Sequence, residues 1–582
     1  MAPLLSSSSS RNRSKLLIVS AAILTLTVFL LSTRKQNNTP SSWTHRRLHT
    51  TSRLIHSIAA SHCDTTLYPD LCISALLSIP DLPNKSLPAV VTAVVNHTAD
   101  AVISSSRNCS TILRYNHRRL DPRQRLALSD CIELLDATLD DLRLASQDLR
   151  SSLRRRRSYR ADLATVLSAA ITNQFTCLDG FAFTPNAESI RPKIQHRLVH
   201  ISRLVSNALA MSKKIPPSAE SSGAFEEYEN LKGDGFPTWL GKMDQQILQA
   251  PAPAPAPAPG PTPEGLLMPD LVVAKDGSGN FTTVGEAVAA APNNSATRFV
   301  IYIKEGGYFE NVEVGKNKIN MIWIGDGIGK TVIKSSRNVI DGWTTFRSAT
   351  VAVVGKGFIA RDLTIENSAG PSKHQAVALR CGADLSAFYR CSFVGYQDTL
   401  YAHSLRQFYR ECDIYGTVDF VFGDAAAVFQ NCSLYARKPD PDQKNIFTAQ
   451  GREDPNQNTG ISLLNCKVAS AADLLPVEAD FRSYLGRPWK KYSRTVVIHS
   501  YLGSLIDQAG WMEWNETFAL DTLYYGEYMN RGPGANTSGR VTWTGFRVIN
   551  GSAEASNFTV ANFIQGDQWL GSYGLPFASA LD

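Results

Sequence analysis

"CSFVGYQDTLYAHSLRQFYRECDIYGTVDFVFGD", from Cys391 to Asp424, carries one pattern twice. Asp398 lies seven residues after Cys391, and Asp419 lies seven residues after Cys412. Each aspartate sits among Tyr, Phe, Val and Leu, where an unpaired buried carboxylate is costly. The pattern extends on both sides when "FIARDLTIEN", "VFQNCSLYAR" and "LLNCKV" are aligned with it. Cys391, Cys412 and Cys432 then recur at steps of 21 and 20 residues, and Cys466 rejoins the frame after a longer insertion. A period near twenty, built of short β-rich runs such as "FVIYIKEG" and "INMIWIGDG", predicts a parallel β-helix with one repeat per coil. A leucine-rich repeat shares the period but its Leu/Asn consensus is missing, and a β-sandwich would not keep equivalent positions in step.

Equivalent positions on successive coils stack at the inter-strand spacing, roughly 4.8 Å. Cys412 and Cys432 become neighbours at a separation within the usual Cα range of a disulfide, so a bond between them is expected. Asp398 and Asp419 become neighbours too, and two charges about 5 Å apart repel by roughly 3 kcal/mol at an effective dielectric near 20. That is enough to keep one carboxyl protonated beside an ionised partner, which supplies a general acid and a nucleophile from one scaffold. The competing reading is a hydrated, outward-facing aspartate ladder. The surroundings favour the first. "GRPW" supplies Arg487 to pair with the ionised carboxylate. Gln397 precedes Asp398 directly and Gln375 lies 22 residues earlier, near one coil, so both side-chain amides are candidates to donate to an oxyanion. Trp489, Trp511, Trp514, Tyr308 and Tyr401 are candidates to stack on sugar faces, with plain packing the alternative for each.

The rest of the 582 residues differs in kind. "LLIVSAAILTLTVFLL" (16–31), with Arg11, Arg13 and Lys15 before it and Arg34 and Lys35 after it, reads as a signal peptide or a signal anchor. Sequons at Asn84, Asn96, Asn108, Asn280, Asn431, Asn515, Asn536, Asn550 and Asn557 agree with export. Ten cysteines in that setting favour disulfides over metal ligands, and with no C-x-x-C pair and no His-rich cluster neither a metal site nor a cofactor is expected. From Ile58 to Met211 the chain reads as amphipathic helices that need one another, a helical bundle. On one of them Ile132, Leu135, Leu139, Leu142 and Leu149 form the apolar stripe. Cys63 and Cys72 close a short loop, Cys131 is a partner for Cys177, and Arg154–Arg157 reads as a solvated turn. "QAPAPAPAPAPGPTPEG" (249–265) is a semi-rigid spacer at a domain boundary. The organisation expected is therefore 1–56 basic and apolar leader, 57–212 helical bundle, 213–268 linker and 269–582 β-helix. The net charge of +7 is mild and by itself selects no partner.

Beyond these readings, "GGYFENV", "HQAVALR", "GYQDTLY", "GTVDFVFG", "YLGRPWKKYSRTV" and "GWMEW", in this order, resemble the signature blocks of plant pectin methylesterases. "CDTTLYPDLC", "ALSDCIELL" and "TNQFTCLDGF" resemble the inhibitor-like domain that precedes the enzyme in longer members. The resemblance implies a right-handed parallel β-helix that hydrolyses methyl esters of galacturonate in pectin, secreted to the cell wall, with no nucleic-acid partner and with membrane contact only through 16–31. It implies Asp419 as nucleophile, Asp398 as general acid and base, Gln375 and Gln397 as oxyanion donors, Arg487 as the partner of the nucleophile, and Thr345, Gln375, Arg487 and Trp489 as substrate contacts. An autoinhibitory helical domain is also implied. Where the family carries a dibasic processing site this chain reads "KMDQQILQ" (242–249), and Cys381 replaces an aliphatic residue, an expected unpaired buried thiol. Two alternatives remain: a polygalacturonase-type glycoside hydrolase, whose Asn-Thr-Asp, Gly-His-Gly and Arg-Ile-Lys blocks are missing, and a catalytically dead pectin-binding or inhibitor protein.

Overall fold

Helices dominate up to residue 216 because apolar residues recur there at helical spacing, and strands dominate from 269 because β-branched and aromatic residues come in short runs punctuated by turns. The computed structural model describes residues 42–150, 159–182, 190–216 and 269–581. The leader 16–31, the arginines 154–157, the Pro-Ala spacer and the 242–249 stretch lie outside the described residues. Residues up to Ser61 form one unit and those from His62 onward a second, which holds both the bundle and the β-helix.

Helix α1 (Ser42–Cys63) crosses the boundary expected at 56/57, and α2 (Pro69–Leu77) follows it. A disulfide joins Cys63 to Cys72, as the sequence suggested. Four longer helices follow: α3 (Leu87–Tyr115), α4 (Pro122–Arg150), α5 (Tyr159–Asp179) and α6 (Arg191–Ser212). Each packs on the next, and α6 closes back on α3. The second expected disulfide, Cys131–Cys177, ties α4 to α5 with Cα atoms 4.6 Å apart. The buried stripe of α4 is Leu128, Cys131, Leu135, Thr138, Leu142, Ala145 and Leu149, while Ile132 and Leu139 are only half-buried. Helix α5 has no polar outer face. Leu163, Leu167 and Ile171 are buried, and so are Thr165, Ser168, Thr172, Gln174 and Thr176. Its hydroxyl-rich side meets the β-helix, where Thr172 and Thr176 reach Asp424 and His403.

Among the described residues the strands form three sheets of eleven, seven and eight strands, every named pairing being parallel. Successive coils keep register: Leu379, Leu400 and Val421 stack in the seven-stranded sheet, as do Arg380, Tyr401 and Phe422. Inside, Phe388, Tyr409 and Phe429 form a ring stack with centroids 4.9 and 4.4 Å apart. The outer apolar face of the eleven-stranded sheet is covered by the C-terminal segment, through Phe558, Phe563, Ile564, Trp569 and Leu570.

Cys391, Cys412, Cys432 and Cys466 do stack on successive coils, but the expected Cys412–Cys432 disulfide is not formed: both are buried free thiols. In-register parallel strands point equivalent Cβ atoms the same way, so they keep the full strand spacing of about 4.8 Å, beyond the roughly 3.5–4.5 Å between Cβ atoms of a disulfide. Each sulfur instead donates to main-chain carbonyls, Cys412 to Phe388 at 3.4 Å and Cys432 to Tyr409 at 3.4 Å. Of ten cysteines only four are paired, so the general expectation of disulfides holds for the helical part alone. Cys381 is buried and unpaired, its Sγ 3.2 Å from Ser386 Oγ.

Candidate active site

Asp398 and Asp419 each stand two residues ahead of a strand of the seven-stranded sheet, Leu400–Ala402 and Val421–Gly423. Those strands pair Leu400 with Val421, so the two aspartates occupy the same corner of consecutive coils. Both take the left-handed conformation, with φ of 63° and 52°, which Asp tolerates better than most residues and which recurs at functional sites. The Asp398 N–H donates to Val418 O at 3.0 Å, which locks one corner onto the next.

The carboxylates have unlike surroundings. Asp419, 6% exposed, accepts two charge-assisted bonds from Arg487, Nε to Oδ1 at 2.8 Å and Nη2 to Oδ2 at 2.7 Å. Arg487 is aimed by its own N–H, which donates to Thr448 O, and by Trp514, whose ring centroid lies 4.4 Å from its guanidinium carbon. Asp398 is 7% exposed, and burial, then the neighbouring Asp419 charge, raises its carboxyl well above the usual carboxylate range. The two carboxyls thus differ in kind, one anchored by a guanidinium and the other raised in proton affinity by burial and by its neighbour.

A cavity of about 600 Å³ opens over this pair, and its walls include each catalytic and substrate-contact residue that the resemblance implied: Thr345, Gln375, Gln397, Asp398, Asp419, Arg487 and Trp489. Gln375 and Gln397 sit on adjoining coils, since the Ala376 N–H donates to Gln397 O at 3.2 Å. The apolar floor is Tyr401 stacked on Phe422 at 4.2 Å, with Trp489 edge-on to Phe422 at 5.9 Å. Trp489 reaches that place because residue 451 is glycine: a Cβ there would lie 2.8 Å from its ring. Of the five aromatic candidates Tyr401, Trp489 and Trp514 line the cavity. Tyr308 and Trp511 belong to the core, the first bonded through its OH to Lys304 O and the second stacked on Tyr525.

Sequence reading missed two groups. Phe346 and Phe422 line the cavity but were not singled out, although Phe422 lies within the "GTVDFVFG" block, one coil from Tyr401, and the repeat could have found it. The other group is the opposite wall, Arg123, Thr176, Asp179, Gly180 and Ala182, all from the helical domain. Arg123 donates to Val339 O at 3.0 Å, Asp179 pairs with Lys490 at 3.0 Å, and Thr176 Oγ1 lies 2.9 Å from His403 Nε2.

Known proteins bear on this arrangement. The family model described as Pectinesterase matches residues 270–567, and that described as Plant invertase/pectin methylesterase inhibitor matches residues 57–211. Pectinesterase 3 of Citrus sinensis is 49% identical, over 90% of this chain and 89% of its own. Pectinesterase/pectinesterase inhibitor 3 of Arabidopsis thaliana is 44% identical over 98% of each chain. Among solved structures, the pectin methylesterase from carrot matches with a TM-score of 0.54 and 58% identity, over 55% of this chain and 100% of its own.

Proposed function

This chain belongs to the pectinesterase family, with an inhibitor-like domain ahead of the β-helix, and from that membership we propose that it hydrolyses galacturonate methyl esters of pectin through Asp419 and Asp398. The ionised Asp419 attacks the ester carbonyl carbon, and the carbonyl π pair moves to oxygen, where the Gln375 and Gln397 amides donate hydrogen bonds. As the tetrahedral species collapses, the C–O bond to methoxide breaks and Asp398 supplies the proton that makes methanol. The acyl-enzyme is an anhydride between Asp419 and the galacturonate carboxyl. Water then adds to the galacturonoyl carbon while Asp398, now ionised, takes a water proton. Asp419 departs as carboxylate, and both acids return to their starting states. Arg487 holds the nucleophile ionised and oriented, while Tyr401, Phe422 and Trp489 offer faces for sugar rings.

The observation that supports this reading best is the asymmetry of two stacked carboxyls, one bonded twice to Arg487 and one raised in proton affinity by burial and by its neighbour. The helical domain restrains the enzyme in this reading, because α5 ends over the cavity and holds Lys490 through Asp179. The leader 16–31 directs export to the cell wall.

A fragment beginning at Pro269 tests the reading, since the Pectinesterase family model matches 270–567 and the carrot enzyme is matched over its whole length by 55% of this chain. It should release methanol from methylated pectin without new reducing ends, and Asp419→Ala should abolish the release. Full-length protein should be slower per mole. New reducing ends without methanol would replace the esterase by a hydrolase of the polymer backbone, and full-length protein as fast as the fragment would remove the restraint.

A further inference from the structure

The ion pairs that join the helical domain to the β-helix all run one way. Arg347 pairs with Asp130 at 2.6 Å and with Glu133, and Lys316 pairs with Asp136 at 2.5 Å and Asp140 at 2.7 Å. Arg406 pairs with Asp162 at 2.7 Å, and Lys490 with Asp179 at 3.0 Å. Among the described residues every such carboxylate lies on the helices and every such cation on the β-helix. Four of the acids, Asp130, Glu133, Asp136 and Asp140, are three or four residues apart on α4. At about 1.5 Å of rise per residue they form a row with one carboxylate every 5 Å or so, on the order of one sugar ring.

Beneath that row lies a second cavity of about 470 Å³, walled on the β-helix side by Lys316, Lys356, Arg380 and Arg406. Arg380 is the telling member. Its side chain is 1% exposed, yet Nε and Nη1 have no hydrogen-bond partner, and its guanidinium carbon lies 3.5 Å from the Phe346 ring centroid. A buried guanidinium with two unpartnered nitrogens is a costly arrangement unless an acceptor comes to it. Through its strand Arg380 is in register with Tyr401 and Phe422, so the basic surface adjoins the floor of the catalytic cavity.

We propose that Lys316, Arg347, Lys356, Arg380 and Arg406 form a binding track for de-esterified galacturonan, and that α4 occupies its Lys316 and Arg347 positions as a carboxylate mimic of that polymer, with Asp162 of α5 doing the same at Arg406. This rests on the esterase reading above. The substrate is neutral wherever it is methylated, whereas the product carries one carboxylate per ring and matches the α4 row in charge and repeat. The track therefore reads product, not substrate, and product competes with α4 for the same cations. The contacts at Lys316 are partly solvated and screened by salt, so they are exchangeable.

The test uses the full-length chain carrying Asp419→Ala, so that the probe is not turned over. Asp136→Asn with Asp140→Asn frees Lys316 at the surface without touching the bundle core. At low ionic strength an oligogalacturonate free of methyl esters should bind this variant about tenfold tighter than the chain with α4 intact. Adding Lys316→Gln and Lys356→Gln should remove the gain, and a fully methylated oligomer of the same length should show none. No gain, a gain that survives loss of the two lysines, or an equal gain for the methylated oligomer would overturn the proposal. Methanol release by the fragment with Asp419 intact is scored separately, so failure of the esterase reading shows in a different measurement.

Discussion

Asp419→Asn is the sharpest probe of the paired acids, read at Asp398 and not at the rate. The two side chains stand on register-matched corners one coil apart. At the strand spacing of about 4.8 Å and an effective dielectric near 20, the Asp419 charge opposes ionisation of Asp398 by roughly 3 kcal/mol. Removing the charge should therefore weaken proton binding at Asp398 by about a hundredfold, and the Arg487 charge, freed of its partner, should act in the same direction. The protonated carboxyl has its own infrared C=O stretch, so difference spectra across a pH titration follow it directly. Asp398→Asn identifies the band by deleting it. In the Asp419→Asn protein the band should vanish at distinctly lower pH than in the parent. If it titrates at the same pH in both, burial alone holds the proton, the acids are not coupled, and the division of roles between them loses its physical basis.

Three further outcomes are expected. Asp398 has a raised proton affinity in the folded protein, so the folded state holds more protons than the unfolded chain above the ordinary Asp value of about 3.9, and stability falls as pH rises until Asp398 ionises. Asp398→Asn removes that loss, so its melting temperature should exceed the parent's by a margin that widens with pH above about 4; a constant margin would refute the sign. Gly451→Ala drives a methyl group into Trp489, and should raise KM for pectin by about tenfold with a smaller change in kcat, measured by methanol release. Thiol titration without reductant should find six groups per chain after unfolding and essentially none before it; four after unfolding would mean a further disulfide.

The β-helix was legible because its period is written in cysteines and aspartates at steps near twenty, and a coil converts such a step into a spatial neighbour. Asp398 and Asp419 followed from that period, whereas Arg487 lies outside it and was nominated by its charge as a partner for a buried carboxylate. The same rule misled at Cys412 and Cys432. Stacking fixes the Cα spacing, which suits a disulfide, but it also fixes parallel Cβ directions, which do not. Tyr308 and Trp511 were indistinguishable by residue type from Trp489 and Trp514, because what separates core from cavity is the direction of a side chain at a turn. Thr176, Asp179 and Gly180 of the helical wall lie in the "TNQFTCLDGF" block, which marked a domain but not its contacts with the cavity. Thr176 and His403 are 227 residues apart, and a docking contact of that kind has no period to reveal it.

Arg487 follows Asp419 by 68 residues and arrives on a later coil, with the excursion through Leu475–Asp480 in between. The ribosome therefore delivers the two halves of the anchored carboxylate at separate times, and translation must pass the GRPW stretch before the pair can close. Helices α3 to α6 emerge well before either, and segments made first have the earliest opportunity to fold. Biosynthetic order thus places the bundle in wait for a centre that is completed only afterwards, so a newly made molecule need never pass through an unguarded form.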